Sequence, residues 1–354
     1  MSIAGVLTVA RLEFRLRIRA GRWRWLVLAW FLVLLAVTAS VRAALTERTL
    51  GADQLDARGA VMFGVVMLIV LGLALLVAPA LAAQSVNGDR ERGTLATLQV
   101  TRLRASEIAV GKLLASWGTA AVFLAVTLPL GLWCFAEGGL SALRLLTVYV
   151  VMTLLLGVVC ALALALSALL ARSTTSSVLA YLTVFALTIG TGIAFGLATL
   201  LTQDTAAATS EVCGYDESGN PQPGACRQEG YETSVPRPDR VWWLLAPNPF
   251  AVLADSAPAG PLRREQRPDG TTEEVGVPID PLGAMSRGLH QIRVRPVLQT
   301  GPYSSYEVPS NAVGAAVWPT GLGIDLLLAA GAVWLTTRRL RTPVSRLPRG
   351  QRIA

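Results

Sequence analysis

Apolar residues in this chain gather into six long runs, and the polar residues between them gather into short, arginine-rich passages. The runs cover residues 25–41, 60–83, 113–135, 143–170, 177–201 and 316–337. Each approaches or exceeds the ~20 residues that cross a hydrocarbon core as a helix. Pro79 lies near the end of the second run and Pro129 within the third. A tight turn at Glu137-Gly138-Gly139 joins the third run to the fourth, and another at Arg172-Ser173-Thr174-Thr175 joins the fourth to the fifth. The pattern predicts an all-α polytopic membrane protein with six transmembrane helices.

Residues 1–24 have a different pattern. Ile3, Val6, Leu7, Ala10, Phe14 and Ile18 recur at helical spacing, and Arg11, Arg15, Arg17, Arg19, Arg22 and Arg24 crowd the remainder against one acid, Glu13. Such an amphipathic helix is expected to lie in the membrane interface with its arginines toward anionic lipid headgroups. Trp23, Trp25 and Trp30 would anchor the entrance of the first span. A cleaved signal sequence is the competing reading, with small residues Ala39, Ser40 and Ala43 at its end. The length of the basic region and the five runs that follow count against it.

Composition agrees with a membrane protein. The chain is 53% hydrophobic and only 15% charged, where soluble domains carry about 25% charge. The net charge of +8 sits on the flanks of apolar runs, so it points to a membrane surface and not to nucleic acid. Arg338, Arg339, Arg341, Arg346, Arg349 and Arg352 occupy the tail 338–354, which has no acid. The N-terminal segment, the 84–112 passage, the 171–176 turn and this tail are the arginine-rich or acid-poor stretches. Six spans put all four on one side, which predicts cytoplasmic termini in the cytoplasmic membrane. The mixed-charge stretches 42–59, 136–142 and 202–315 fall on the other side.

Residues 202–315 are polar, and no run there is long enough to span. They predict a large extracytoplasmic loop or small domain. Cys213 and Cys226 are expected to form a disulfide in an oxidising compartment, contributing roughly 3 kcal/mol; two free thiols is the alternative. The segment 241–250 carries Trp242 and Trp243, and reads either as docking at the outer membrane surface or as the core of a small outer domain. Stretches near 271–279 and 290–299 alternate enough to form short strands.

Little here supports chemistry. Cys134 and Cys160 lie in apolar runs and read as small buried hydrophobes. His290 is the only histidine, and neither a CxxC nor an HExxH pattern occurs, so no metal site is expected. Gly111-Lys112 has no upstream glycine at P-loop spacing, and Leu113 stands where Ser or Thr is required. The chain is therefore expected to be no ATPase itself. Asp325 is the one acid well inside an apolar run, which makes it a candidate for contacting a polar substrate, pairing with an arginine or carrying a proton. Hydration near the outer surface or a structural hydrogen bond is the bland alternative. Gly157, Gly190, Gly192 and Gly196 read as points of close helix packing.

The passage between the second and third runs holds the most informative residues. It reads Asp89-Arg90-Glu91-Arg92-Gly93-Thr94-Leu95, then Leu98, Thr101, Leu103, Glu107, Gly111 and Lys112. Physically it is a short cytoplasmic helix between two spans, placed to transmit a push to both. It resembles the permease subunits of ABC-2 type transporters, where an acidic-basic-acidic-x-Gly-Thr-Leu motif follows the second span. A Leu-x-x-Leu step and a Glu-x-x-x-Gly-Lys ending then lead into the third. Glu91, Gly93, Thr94, Leu95, Leu98, Glu107, Gly111 and Lys112 match. Asp89 stands where the family often has Glu, and Arg102 where it often has Pro. Asn248-Pro249-Phe250 matches a segment the family has before its last span, although residues 251–315 intervene here.

That resemblance implies a permease subunit of an ATP-driven exporter. It would pair with a second permease, identical or not, and bind cytoplasmic ABC ATPase subunits that carry the ATP and Mg. Glu91, Arg92, Gly93, Thr94, Leu95 and Leu98 would form the coupling helix that contacts the ATPase. Substrates across the family include drugs, lipids, polysaccharides and peptides. Two readings from other classes compete. An ion-gradient-driven secondary transporter or channel would need charges in several spans and inverted repeats. A membrane-anchored assembly or sensor protein would work through 202–315 and leave the 84–112 motif without a task.

Overall fold

A computed structural model describes residues 2–19, 23–45, 57–94, 103–215, 221–257, 263–266, 272–275, 280–299, 305–307 and 314–341. Six helical stretches among them are long and apolar enough to cross a membrane. In chain order the helices are α1 (Ile3–Arg19), α2 (Trp23–Ala44), α3 (Arg58–Ala82), α4 (Asn87–Glu91), α5 (Ala105–Ala125), α6 (Leu128–Ala136), α7 (Ala142–Leu169), α8 (Ser173–Phe185) and α9 (Thr191–Leu201), the last two joined by a π-helical turn, Ala186–Gly190. A hairpin β1 (Gln203–Tyr215) and β2 (Pro221–Pro236) follows, then α10 (Pro249–Ser256), β3 (Arg263–Gln266), β4 (Thr272–Val275), α11 (Pro281–Gln291), β5 (Val297–Gln299), β6 (Ser305–Glu307) and α12 (Trp318–Leu340). The protein is thus an all-α polytopic membrane protein whose described sheet is confined to three two-stranded hairpins.

The central helix is α7, which packs against α12, α3, α5, α8 and α10. A helix that is apolar all round has no face to give to water and belongs in the interior. Its Val148, Met152, Leu155, Leu156 and Cys160 join Met62, Phe63, Val66 and Met67 of α3 in one core. Gly157 brings α7 close to α5: a Cβ there would lie 3.1 Å from Trp117 Nε1, which donates to the Thr153 carbonyl at 2.7 Å.

The third span is broken near its middle. Pro129 supplies no N–H to the helix, and the chain bends at Val126 and Thr127 before α6 resumes. Tyr149 Oη satisfies the bend by donating to the Thr127 carbonyl and meeting Thr127 Oγ1, both at 3.0 Å. The span also starts earlier than its apolar run. Helix α5 begins at Ala105, so Glu107 and Lys112 are helical and buried instead of belonging to a solvated passage.

Two packing expectations are corrected. Gly192 and Gly196 have open space where a Cβ would be, and Gly190 meets only its own helix turn. The fifth span shows almost no buried surface within the chain, so these glycines do not mark close packing here. The arginines of α1 also do not all face outward. Arg17 turns into the bundle and donates to the Leu81 carbonyl at 3.1 Å, Ser116 Oγ at 3.0 Å and Thr119 Oγ1 at 3.3 Å. Burial holds its pKa below the usual guanidinium value.

The expected strands near 271–279 and 290–299 correspond to β4 and β5; α11 takes residues up to Gln291. The much longer hairpin β1–β2 has no counterpart in the sequence pattern. Its register runs from Gln203 opposite Pro236 to Cys213 opposite Cys226. At ~3.4 Å per residue this ladder extends on the order of 30–40 Å.

Candidate functional site

The residues between the second and third spans meet at one end of the bundle, around α4. A five-residue helix is too short to persist alone, so its position depends on what grips it. The Val86 and Asn87 backbone N–H groups donate to Ser167 Oγ near the end of α7, both at 3.1 Å. Arg90 donates to the Leu170 carbonyl at 3.2 Å. Glu91 accepts from the Ser173 backbone N–H at 3.1 Å and from Ser173 Oγ at 2.7 Å, at the first residue of α8. Ser176 Oγ reaches back to the Ala83 carbonyl at 2.8 Å. The ends of the second, fourth and fifth spans are thereby tied to one short helix.

The third span and α1 join through Lys112, the chain's single lysine. Its side chain is 0% exposed, and Nζ donates to the carboxylates of Glu13 on α1 and Asp89 on α4. The Ser85 carbonyl, 3.0 Å away, takes a further hydrogen bond. A buried ammonium needs this compensation, because an uncompensated buried charge is strongly unfavourable. Lysine suits the position as a compact point charge with three donors, which here meet three acceptors. Asp89 also accepts from Arg92 Nη2 at 3.1 Å.

Helix α1 reaches Lys112 because Gly111 has no side chain at the crossing. A Cβ on Gly111 would lie 2.6 Å from Val9 Cβ and 3.0 Å from the Val6 carbonyl oxygen. Glu107 accepts from the Ser2 backbone N–H at 2.6 Å and the Arg104 backbone N–H at 3.0 Å, which fastens the other end of α1 and caps α5. The Glu-x-x-x-Gly-Lys ending therefore acts as a dock for α1. Glu13 and Arg17 carry the contact from the α1 side, and the hydrophobic pattern alone does not reveal them.

Glu91, Arg92, Gly93 and Thr94 are exposed at the end of α4. Gly93 has φ 72, a left-handed conformation that ends the helix and favours glycine. Thr94 Oγ1 donates to the Asp89 carbonyl at 3.3 Å. Leu95 and Leu98 lie outside the described residues.

The opposite end of the bundle holds the Asn-Pro-Phe segment. Asn248 Oδ1 caps α10, accepting from the Phe250 N–H at 2.9 Å and the Ala251 N–H at 3.4 Å. Asn248 Nδ2 donates to the Thr188 carbonyl at 2.6 Å and Thr191 Oγ1 at 2.8 Å, so it holds the π-turn of the fifth span. Helix α10 is buried nearly throughout and packs on α7, α11 and α12. Asp255 at its end accepts from the first N–H groups of the last span, Val317 at 2.6 Å and Trp318 at 2.8 Å. Arg144 of α7, 2% exposed, donates to Asp280 Oδ2 at 2.5 Å beside α11. The segment 241–250 thus belongs to a packed cap: Trp242 joins the cluster of Ala246, Ala251, Leu289 and Val317 and lies under Arg293, 4.1 Å from its ring centroid. Trp243 stays exposed.

Beyond the cap, the base of β1–β2 is an ion-pair cluster. Arg237 holds Asp239 in two hydrogen bonds of 2.7 and 2.8 Å and also bonds Asp204; Arg240 holds Asp204 at 2.8 and 2.9 Å. The Arg237 hydrogen bonds keep Asp239 below the usual carboxylate range. At Asp204, burial pushes upward, but the two arginines outweigh it and the value is lowered. Cys213 and Cys226 are partners in the hairpin register; their side chains lie outside the described residues. Asp325 is 1% exposed on α12, with neither carboxylate oxygen hydrogen-bonded. Among the described residues, no group of three or more His, Cys, Asp or Glu could hold a metal.

Six spans with a short helix gripped between spans two and three form a polytopic membrane domain. A family model described as ABC-2 family transporter protein matches residues 7–232. The chain belongs to that family and is an ABC transporter permease, a class that partners an ABC ATPase. The match takes in α1, the α4 node and the first five spans and ends within the hairpin, before α10 and α12. No curated protein matches the chain.

Proposed function

We propose that the chain couples ATP hydrolysis on a separate cytoplasmic ATPase to export across the cytoplasmic membrane. The observation that carries this is the α4 node. It exposes Glu91, Arg92, Gly93 and Thr94 while its other contacts fasten it to spans two, four and five, and through Lys112 to span three and α1. A push on that exposed rim reaches all of them together. Leu95 and Leu98 extend the same contact. ATP and Mg stay with the ATPase. The arginine-rich termini and the exposed arginines of α1 support a cytoplasmic placement of the α4 end, with anionic lipid headgroups against α1.

A second permease completes the transport path. The fifth span, barely buried within the chain and lined by Gly192 and Gly196, supports that reading. Extracytoplasmic placement of β1–β2 makes Cys213–Cys226 a disulfide at the far end of the hairpin; a two-hydrogen mass difference on reduction tests it.

The deciding experiment co-expresses the full chain with a candidate ABC ATPase in lipid and measures ATP turnover and transport. Stable co-purification is expected, with Arg92→Ala lowering transport at least tenfold while the permease keeps its melting temperature; Glu91→Ala should lower transport as well and also loosen the tie to Ser173. No co-purification, together with unchanged transport in both variants, overturns the reading.

A further inference from the structure

The buried charges of this bundle are nearly all accounted for, and Asp325 is the exception. It lies about 10 Å along α12 from Trp318, on the helix face that also buries Gly321, Ala332 and Thr336. That face packs on α7, α5 and α10. Every ionisable group on those helices has a contact of its own. On α7, Arg144 is paired with Asp280, Tyr149 is bonded to Thr127, and Cys160 Sγ is 4.0 Å from the Ala78 carbonyl. On α5, Lys112 holds Glu13 and Asp89, and Glu107 caps α5. On α10, Asp255 is bonded to the start of α12. Arg338 and Arg339 are on α12 itself, about 20 Å further along its axis. Among the described residues, Asp325 thus has neither a cation nor a hydrogen-bond donor.

An ionised carboxylate in that setting is strongly unfavourable, and the group avoids the penalty by taking a proton from water. We propose that Asp325 is a proton-binding site: its carboxyl is neutral in this packing, and it releases the proton only where water reaches it. Acid pH then favours the packing that buries Asp325, and alkaline pH favours any state that hydrates it. The proposal is independent of ATPase coupling.

Infrared spectra of the full chain in lipid nanodiscs test it. At neutral pH the wild type should show the carbonyl stretch of a protonated carboxylic acid, shifted in heavy water and missing from Asp325→Asn. Absence of that band, or its persistence in Asp325→Asn, overturns the proposal. Thermal stability gives a second readout. A neutral acid in the folded state means that folding takes up a proton, so wild-type melting temperature should fall relative to Asp325→Asn as pH rises. Asp325→Asn and Asp325→Leu should both melt within a few degrees of wild type at neutral pH. A large loss in both would mean that a paired carboxylate had been removed, which also overturns it.

Discussion

The two ends of the bundle each hold a short helix, and they hold it by opposite means. Helix α4 is gripped by charges and by hydrogen bonds to the ends of its neighbours, and its last residues stay exposed. Helix α10 is sunk into the core through Val252, Leu253 and Ala254, with Asn248 capping its start and Asp255 capping the last span, α12. A charge-fastened helix keeps a free rim for a partner. A helix buried in apolar side chains offers no such rim. The difference separates an end with an exposed polar rim from an end sealed by apolar packing.

Lys112→Ala breaks the comparison hardest. It leaves Glu13 and Asp89 facing each other without their cation, and losing one partner of a buried ionic set costs about 3–5 kcal/mol. Loss of monodisperse protein, or a melting temperature lowered by many degrees, is the expected result. At the other end Arg144→Ala should cost a similar amount or slightly less. Replacing both partners, Arg144→Met with Asp280→Leu, should recover most of that loss, because the pair itself contributes little net stability once desolvation is counted. A double-mutant cycle by thermal melting measures the coupling.

Asn248→Ala comes next. It removes a cap worth about 1 kcal/mol and takes away the shorter of two side-chain hydrogen bonds to the Thr188 carbonyl, which keeps Thr191 Oγ1 at 3.2 Å. Faster hydrogen exchange across residues 186–191 should accompany the lower stability. Arg92→Ala should change stability by less than about 1 kcal/mol, since its pair with Asp89 is solvent-screened, yet its transport should fall. That split between stability and transport sharpens the contrast between the ends.

The smallest effect is one of pH. Asp204 and Asp239 have lowered folded-state values, so their ion pairs contribute stability at neutral pH that is lost as pH falls through the acid range. Hydrogen exchange at residues 203–205 and at Ser234 and Val235, corrected for intrinsic rates, should accelerate on acidification before the spans respond.

The six spans were legible because twenty-odd apolar residues in a row admit few other readings. The dock at Glu107, Gly111 and Lys112 was legible as a motif but not as a contact. A hydropathy pattern treats a charged residue as a solvated one, whereas Lys112 is sealed by Glu13 from a distant helix. Glu13 and Arg17 differ from the other charges of α1 only by facing inward. The β1–β2 hairpin escaped notice because its described residues are mostly exposed or half-exposed, so no apolar alternation marks it. Asp325 stood out in sequence as a lone acid, but its isolation required the partners of every neighbouring charge to be known.

The π-turn at Ala186–Gly190 sets a phase. An extra residue within one turn shifts everything after it by about 100° around the helix axis relative to a regular α-helix. The side chains of α9 that face outward, and the azimuth at which the hairpin leaves the membrane, are therefore fixed by that single insertion. Deleting one residue there would swing α9 and β1–β2 to a new bearing while each kept its own shape.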